Sequence, residues 1–152
     1  MEAGTIKVLL IEDNQEDLTL VKEELSSEIS YDIVVAENLF DGLAELKKNK
    51  PDVVLLDLAL PDSNGMDSFI KFYENVIDVP IVILSGSKDE KLALSAIKLG
   101  AQDYLIKGEI NNKILLKTIK FAIERYKIYR ELEGCKKELN DLKERLIREI
   151  DL

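Results

Sequence analysis

Several short apolar runs of this 152-residue chain end at side chains that can take part in chemistry. The clearest example is the run Val53–Leu56, which ends at Asp57. A carboxylate inside such a run would carry a heavy desolvation cost, whereas one at its end can leave the core and meet water or a ligand. The residues that occupy equivalent positions after other runs are Glu12, Asp13, Ser85 and Lys107.

These side chains would form a phosphoryl-accepting site if the strand ends meet. Three close carboxylates repel one another unless a cation joins them. Ligation by oxygen alone, from a few carboxylates, is the preference of Mg²⁺. The metal would neutralise charge on a phosphoryl group next to Asp57, and Lys107 would hold another of its oxygens. Because the chain has no His to act as a base, Asp57 is expected to act as a nucleophile and form an aspartyl phosphate.

Each of these residues, taken alone, also fits an ordinary structural role. Asp13 or Asn14 could cap the helix that follows the first strand. Asp57 could cap the loop after it, Ser85 could cap a helix, and Lys107 could be a solvated charge. Their joint occurrence at four strand ends favours a shared site over four unrelated roles.

The positions of these residues depend on five predicted strands that alternate with helices. Short runs of Val, Ile and Leu bounded by turn residues predict the strands, and apolar spacing of three and four predicts the helices. The predicted strands are Ile6–Ile11, Asp32–Ala36, Val53–Asp57, Ile81–Leu84 after Pro80, and Asp103–Ile106. The predicted helices follow Leu18 to Leu25 and cover Leu39–Lys48, Gly65–Tyr73 and Lys88–Leu99, with Gly100 as a left-handed cap.

This alternation predicts an α/β fold, a doubly wound five-stranded parallel sheet with helices on both faces. The flavodoxin-like strand order 2-1-3-4-5 suits five short units and places strands 1 and 3 side by side where the winding reverses. Ligands of such sheets bind beyond the carboxyl ends of the strands at that point. The fold therefore predicts that the candidate residues lie on one rim.

Composition excludes several other classes of protein. The chain has 30 Asp and Glu against 21 Lys and Arg, a net charge of -9, and lacks the basic patch that nucleic-acid binding requires. The lone Cys135 excludes an internal disulfide and fits a reducing compartment. No apolar run has the length of a signal peptide core or a membrane span. We therefore expect a cytoplasmic protein without membrane insertion.

Residues from about 5 to 125 resemble the receiver domain of two-component response regulators. The motifs that carry the resemblance are Glu12-Asp13 after the first strand, Asp57 followed by Pro61 and Gly65, Ser85-Gly86 after the fourth strand, and Asp103-Tyr104 with Lys107 around the fifth. These motifs are specific in combination. We therefore expect residues 1–125 to form a receiver domain.

The resemblance implies that Asp57 takes a phosphoryl group from a phosphohistidine of a sensor histidine kinase or phosphotransfer protein. It implies self-catalysed phosphoryl acceptance and slow autodephosphorylation, and no enzymatic turnover. It also implies how Mg²⁺ is held. The implied metal ligands are Asp13, Asp57 and the backbone carbonyl of Ala59, with Glu12 acting through water.

The resemblance further implies a switch made of two side chains. Ser85 matches the hydroxyl that moves onto the phosphate, and Tyr104 matches the aromatic that turns inward behind it, altering the surface of strands 4 and 5 and the last helix. Two positions depart from the family pattern. Gly108 stands where Pro usually follows Lys107, so we expect a trans peptide and a loop that uses the freedom of glycine. Ala59 stands where many relatives carry a longer side chain.

Residues 126–152 are predicted to continue the last helix as a coiled coil, without an output domain. Apolar residues recur there at steps of four and three, with positions a and d occupied by Ile128, Leu132, Cys135, Leu139, Leu142 and Leu146. In a parallel pair Glu131 would face Lys136 of the second copy, and Glu138 would face Lys143. We expect a parallel homodimer through residues 121–152; the alternative is a single helix folded back on the receiver or a frayed tail.

Two other functions fit parts of the sequence. A phosphatase with an aspartate nucleophile is disfavoured, because such enzymes carry Asp-x-Asp after the first strand and Ala59 lies two positions beyond Asp57. A receiver-like dimeric scaffold that is never phosphorylated is disfavoured by the complete set of acidic residues. If the chain is a phosphoaccepting receiver, as we expect, its signal passes to another protein or to a domain missing from this chain.

Overall fold

The computed structural model describes residues 4–26, 30–76, 78–86 and 90–150. Strands and helices alternate through the described residues as predicted, apart from two short strands that follow the third strand. In chain order they are β1 (Ile6–Ile11), α1 (Gln15–Ser26), β2 (Tyr31–Ala36), α2 (Leu39–Lys48), β3 (Val53–Asp57), β4 (Ala59–Leu60), β5 (Ser63–Asn64), α3 (Met66–Asn75), β6 (Ile81–Ser85), α4 (Glu90–Leu99), β7 (Asp103–Ile106), a 3₁₀ turn (Lys107–Glu109) and α5 (Asn112–Ile150). No helix among the described residues combines the length and apolar character needed to cross a bilayer.

Five strands form one parallel sheet in the order β2-β1-β3-β6-β7. This order is the predicted 2-1-3-4-5, with β1 beside β3 where the winding reverses. The central strand β3 is buried along all five of its residues. Its unbroken apolar run follows from this position, because a central parallel strand is covered on both faces.

Helices cover the two faces of the sheet unequally. Successive side chains of a strand point to opposite faces, so Val54 and Leu56 pack with α2, α3 and α4, whereas Val53 and Leu55 pack with α1 and α5. All four side chains have an exposed fraction of 0%. These two apolar layers hold β3 in place, and Asp57 with it.

The helix α3 differs from its prediction in bounds and in its buried face. It begins at Met66 and ends at Asn75, where the sequence predicted Gly65–Tyr73. The spacing predicted an inward face that included Ile70 and Tyr73, but these are 39% and 45% exposed. Phe72 is buried instead, beside Phe69.

Smaller differences lie elsewhere: β2 begins at Tyr31, one residue before its predicted start, and β6 ends at Ser85, one residue after its predicted end. The segment between β3 and α3, predicted as a loop, contains the short antiparallel pair β4 and β5. The predicted start of the fourth helix at Lys88 lies outside the described residues, and its predicted end at Leu99 is confirmed.

The last helix, α5, runs without interruption for 39 residues, so the predicted continuity of the receiver helix with the heptad segment is confirmed. Its buried residues are Leu115, Thr118, Ile119 and Ala122. Beyond Tyr126, which is half-buried, every described residue of the helix is exposed. The buried part of this helix thus ends near Tyr126.

Gly100 ends α4 in a conformation that side chains rarely adopt. Its φ is 131°, and its N–H donates to the carbonyl of Ala96 over 3.1 Å. A Cβ atom at Gly100 would lie 2.5 Å from the Tyr73 ring. Glycine is therefore required at this position both by the backbone and by the neighbouring ring.

Gly100→Ala is expected to lower the free energy of unfolding by more than about 1 kcal/mol, because alanine is strained at positive φ. Gly108→Ala is the matched control, since a Cβ there meets nothing within 4 Å and Gly108 is not among the positive-φ glycines. Urea denaturation followed by circular dichroism measures both. Equal stability of the Gly100→Ala protein and the unmodified protein would contradict this account of the cap.

Candidate functional site

The carboxyl ends of four neighbouring strands bring the predicted residues to one rim of the sheet. Glu12 and Asp13 follow β1, and Asp57 is the last residue of β3. Ser85 is the last residue of β6, and Lys107 follows β7 directly. The structure therefore assembles residues that are up to 95 positions apart in the sequence (107 − 12 = 95).

Glu12, Asp13 and Asp57 form a group of carboxylates at the centre of this rim. One oxygen of each lies within 4.8 Å of the oxygens of the other two. Glu12 is 0% exposed and Asp57 is 3% exposed, whereas Asp13 is exposed. Two of the three charges are thus held in a dry environment, and the third faces solvent.

Lys107 supplies the positive charge that these carboxylates need. Its Nζ lies 2.6 Å from Glu12 Oε2 and 3.3 Å from Asp57 Oδ2. Lys107 begins the 3₁₀ turn, and the described residues contain no cis peptide bond, so the expected trans peptide before Gly108 is confirmed. The expectation that the loop uses the freedom of glycine is wrong, because Gly108 is not among the positive-φ glycines.

Asp17 also contacts Lys107, over 2.9 Å between its Oδ2 and the ammonium, and the sequence analysis missed it. The N–H of Asp17 donates to Asn14 Oδ1 over 3.1 Å, so Asn14 is the cap of α1. The available signal was an acid in the first turn of a helix that starts at this rim. Acids are common in the first turn of a helix because their charge interacts favourably with the helix dipole. The sequence therefore did not distinguish Asp17 from an ordinary acid of a first turn.

The burial of Glu12 changes its acidity. Desolvation raises the pKa of the Glu12 carboxyl to about 7. Lys107 acts in the opposite direction and lowers this pKa, whereas Asp57 raises it further. Burial alone would lower the pKa of Lys107, but its hydrogen bonds to Glu12 and Asp17 outweigh this effect and raise the pKa. Lys107 therefore remains a cation, while Glu12 changes charge near neutral pH.

Ala59 and Ser85 lie around an open cleft at Asp57, and Tyr104 is not among the residues that line it. Ala59, Ser85 and Lys107 line this cleft together with Asp57. The N–H of Ala59 donates to Asp57 Oδ1 over 3.2 Å, so the loop-capping role considered for Asp57 coexists with its place in the cluster. Ser85 is 6% exposed, and Tyr104 is half-buried against the core on the α2–α4 side of the sheet.

The donor set fits a small, hard divalent cation. It consists of carboxylate oxygens alone, with one group open to solvent and two buried. One ammonium cannot neutralise this many close carboxylates, so a site of excess negative charge remains. Mg²⁺ prefers such oxygen ligands and retains several waters, which the open side of the cleft can accommodate.

The fold and the rim together define a class of protein, a doubly wound α/β domain with an acidic cluster at the switch point of its sheet. The family model described as "Response regulator receiver domain" matches residues 8–120, well over half of the chain. The chain belongs to the response regulator receiver domain family.

Relatives and solved structures agree with this family. The KDP operon transcriptional regulatory protein KdpE of Escherichia coli is 36% identical over 111 residues, which cover 70% of this chain and 48% of that protein. KdpE of Staphylococcus aureus is 33% identical over 101 residues, covering 66% of this chain and 43% of that protein. This chain therefore spans less than half the length of these relatives. The receiver domain of a putative LuxO repressor protein from Vibrio parahaemolyticus superposes with a TM-score of 0.73 at 32% identity, covering 86% of this chain and 98% of that structure.

Lys107→Met is expected to destabilise the metal-free protein more at about pH 8 than at about pH 5.5. The pKa of Glu12 is raised from 4.5 to about 7 in the fold, so its ionisation opposes folding, and this cost appears as the pH rises between these values. Lys107 reduces the cost, and removing it should lower the free energy of unfolding at high pH by about 3 kcal/mol.

Urea denaturation in the presence of a chelator measures this difference at both pH values. Lys22→Met is the control, because Lys22 is exposed on α1. A Lys107→Met effect that is the same at both pH values would show that the ammonium does not offset the charge of Glu12.

Proposed function

We propose that the chain accepts a phosphoryl group on Asp57 in a two-component phosphorelay, in a reaction that depends on Mg²⁺. The observation that supports this most is the placement of Asp57 in the floor of an open cleft. Its carboxylate lies within 4.8 Å of those of Glu12 and Asp13 and 3.3 Å from the Lys107 ammonium. This arrangement surrounds one nucleophile with groups that can bind a cation and an anion.

The proposed reaction is a direct transfer from nitrogen to oxygen. An oxygen of Asp57 forms a bond to phosphorus as the bond from phosphorus to the imidazole nitrogen of the donor breaks, and that nitrogen keeps the electron pair and takes up a proton. Lys107 donates a hydrogen bond to a phosphoryl oxygen. The proposed donor is a sensor histidine kinase or a phosphotransfer protein.

We assign the metal ligands to four groups at the same rim. They are the carboxylates of Asp13 and Asp57, the backbone carbonyl of Ala59 and, through water, Glu12. When bound, Mg²⁺ supplies neutralisation of charge on the phosphoryl oxygens and between the carboxylates. Since Glu12 has a pKa of about 7, protonation of this group below neutral pH weakens the proposed site.

The proposed readout begins at Ser85 on β6, beside β3, and at Tyr104 on β7. Ser85 lines the cleft and is placed to bind the phosphoryl group through its hydroxyl. Tyr104 follows on the adjacent strand, where Ile83 of β6 pairs with Tyr104 of β7. A movement of Ser85 toward the phosphate would free space behind it, and we propose that Tyr104 moves inward and changes the surface of β6, β7 and α5.

The site supports acceptance of a phosphoryl group better than enzymatic turnover. The chain has no His. Among the described residues, the basic group in contact with Asp57 is the Lys107 ammonium. Its pKa is raised, so it is a poor proton acceptor for an attacking water. We propose that hydrolysis of the aspartyl phosphate is slow and self-catalysed. The complete acidic cluster also disfavours the unphosphorylated scaffold.

We further propose that α5 forms a parallel coiled-coil homodimer through residues 121–152. Within the single chain, the aliphatic residues at positions a and d have exposed fractions from 46% to 67%. These residues are Ile128, Leu132, Leu139, Leu142 and Leu146. Such a stripe of exposed apolar residues along a helix gains stability when a second helix covers it.

The contacts of Arg130 disfavour the alternative in which this helix folds back along the receiver. Arg130 occupies position f of the heptad, opposite the a and d positions, and its guanidinium pairs with Asp78 in the loop before β6. Near Arg130, the loop before β6 therefore faces the f side of α5. The a and d positions remain open to a partner.

The partner that carries the output is proposed to be a separate protein or a domain outside residues 1–152. Relatives such as KdpE carry the name transcriptional regulatory protein and are about twice as long as the matched region. In this chain the receiver domain model matches residues 8–120. We place the receiver in residues 1–125 and the protein in the cytoplasm, where its proposed kinase partner would present the phosphohistidine.

Phosphorylation can be tested directly by intact mass spectrometry after incubation with acetyl phosphate and Mg²⁺. The unmodified protein is expected to gain one phosphoryl group, and Asp57→Asn is expected to gain none. Asp62→Asn is a matched control, because Asp62 is an exposed carboxylate in the following turn. Uptake by Asp57→Asn, or a failure of the unmodified protein to react, would refute the assignment.

The dimer can be tested by sedimentation and by the only cysteine of the chain. The full chain is expected to sediment as a dimer and a chain ending at Lys127 as a monomer. Cys135 occupies a d position, so a parallel pair aligned in register brings the two thiols together and mild oxidation should link them. Cys135→Ser is the control for the link. Equal mass of the long and short chains would rule out the coiled coil, and a dimer without the link would rule out the parallel register.

A further inference from the structure

Asp17 places a fourth carboxylate at the site, outside the motifs that define the family resemblance. It is the third residue of α1, and its Oδ2 lies 2.9 Å from Lys107 Nζ. Its side chain is 29% exposed. It also lines the same cleft as Asp57 and Ser85. An incoming phosphoryl group would therefore pass close to its negative charge.

Three carboxylates surround the Lys107 ammonium in this arrangement, and its Nζ donates a hydrogen bond to Asp17 Oδ2. An ammonium has three N–H groups, and three carboxylates lie at 2.6, 2.9 and 3.3 Å from its nitrogen. A phosphoryl oxygen that binds Lys107 would compete with these carboxylates for the ammonium. Glu12 is fully buried and loses much when unpaired, whereas water can replace Lys107 at the partly exposed Asp17.

The extra carboxylate also shifts the charge of the site. With Glu12 ionised, four carboxylates and one ammonium give a formal charge of 1 − 4 = −3 in this cluster. Without Asp17 the same arithmetic gives −2. A more negative site attracts a divalent cation more strongly and repels a phosphoryl dianion more strongly.

We propose that Asp17 is a positioning residue that holds Lys107 in the resting state and competes with the phosphoryl group for its ammonium. It strengthens the binding of Mg²⁺ and slows the uptake of the phosphoryl group. This inference rests on the proposed function of Asp57. Asp17 would thus favour the binding of Mg²⁺ over the uptake of the phosphoryl group at the same site.

If Asp17 only stabilised α1, its replacement would have the same effect as replacing another acid in the first turn of this helix. An acid in the first turn of a helix stabilises that helix through its dipole, and Glu16 is exposed in the same turn of α1. Glu16→Gln removes the same charge from this turn, but Glu16 is not among the ion-pair partners of Lys107. It is therefore the matched control for Asp17→Asn, and Asp17→Glu tests rescue by a retained charge.

The first measurement is the affinity for Mg²⁺ by isothermal titration calorimetry in the full chain. Asp17→Asn is expected to bind Mg²⁺ about two- to fivefold more weakly, the effect of one partly exposed charge pair. Glu16→Gln should differ less from the unmodified protein, and Asp17→Glu should restore most of the affinity. Unchanged Mg²⁺ affinity in Asp17→Asn, or an equal loss in Glu16→Gln, would overturn the inference.

The second measurement is the rate of phosphoryl uptake from acetyl phosphate at saturating Mg²⁺, followed by intact mass. Asp17→Asn is expected to react about two- to fivefold faster than the unmodified protein. If the unmodified protein reacts and Asp17→Asn is no faster, this inference fails and the proposed function stands. If the unmodified protein does not react, the proposed function fails, and the Mg²⁺ titration still tests the proposed effect of Asp17 on metal binding.

Discussion

The ammonium of Lys107 holds together carboxylates that would otherwise repel one another at the rim of the sheet. Glu12 and Asp57 are both almost fully buried, and two close anions in a dry environment are unstable without a cation. Lys107 contacts both of them. It cannot neutralise both together with Asp13, and the remaining negative charge is what makes the cluster suited to a divalent metal.

This interaction depends on the alignment of strand ends. In the register of the sheet, Ile11 lies beside Leu56, so Glu12 follows β1 at the level at which Asp57 ends β3. On the other side, Ser85 of β6 pairs with Ile106 of β7, directly before Lys107. Because neighbouring parallel strands end at one level, residues distant in sequence arrive within hydrogen-bonding distance. The apolar layers that fix these strands are therefore part of the site.

The sequence was sufficient to predict the five strands of the parallel sheet, their order and the polar residues at their ends, because an apolar run that stops at a polar side chain is a local signal. The short pair β4 and β5 was not predicted. The sequence was insufficient for Asp17, whose contact with Lys107 depends on the angle at which α1 leaves β1. It also misplaced the inward face of α3. Positions 69 and 72 or 69 and 73 fit a helical period equally well, and only packing against the sheet selects Phe72 over Tyr73.

The position of Lys107 also connects the site to α5. Four residues separate Lys107 from the first residue of the helix, and the Asn112 side chain donates to the carbonyl of Glu24 in α1. Asp17 of the same helix α1 pairs with Lys107. The ammonium, the start of α5 and α1 thus form a closed ring of contacts. A displacement of Lys107 would therefore act on α1 and on the start of α5 together.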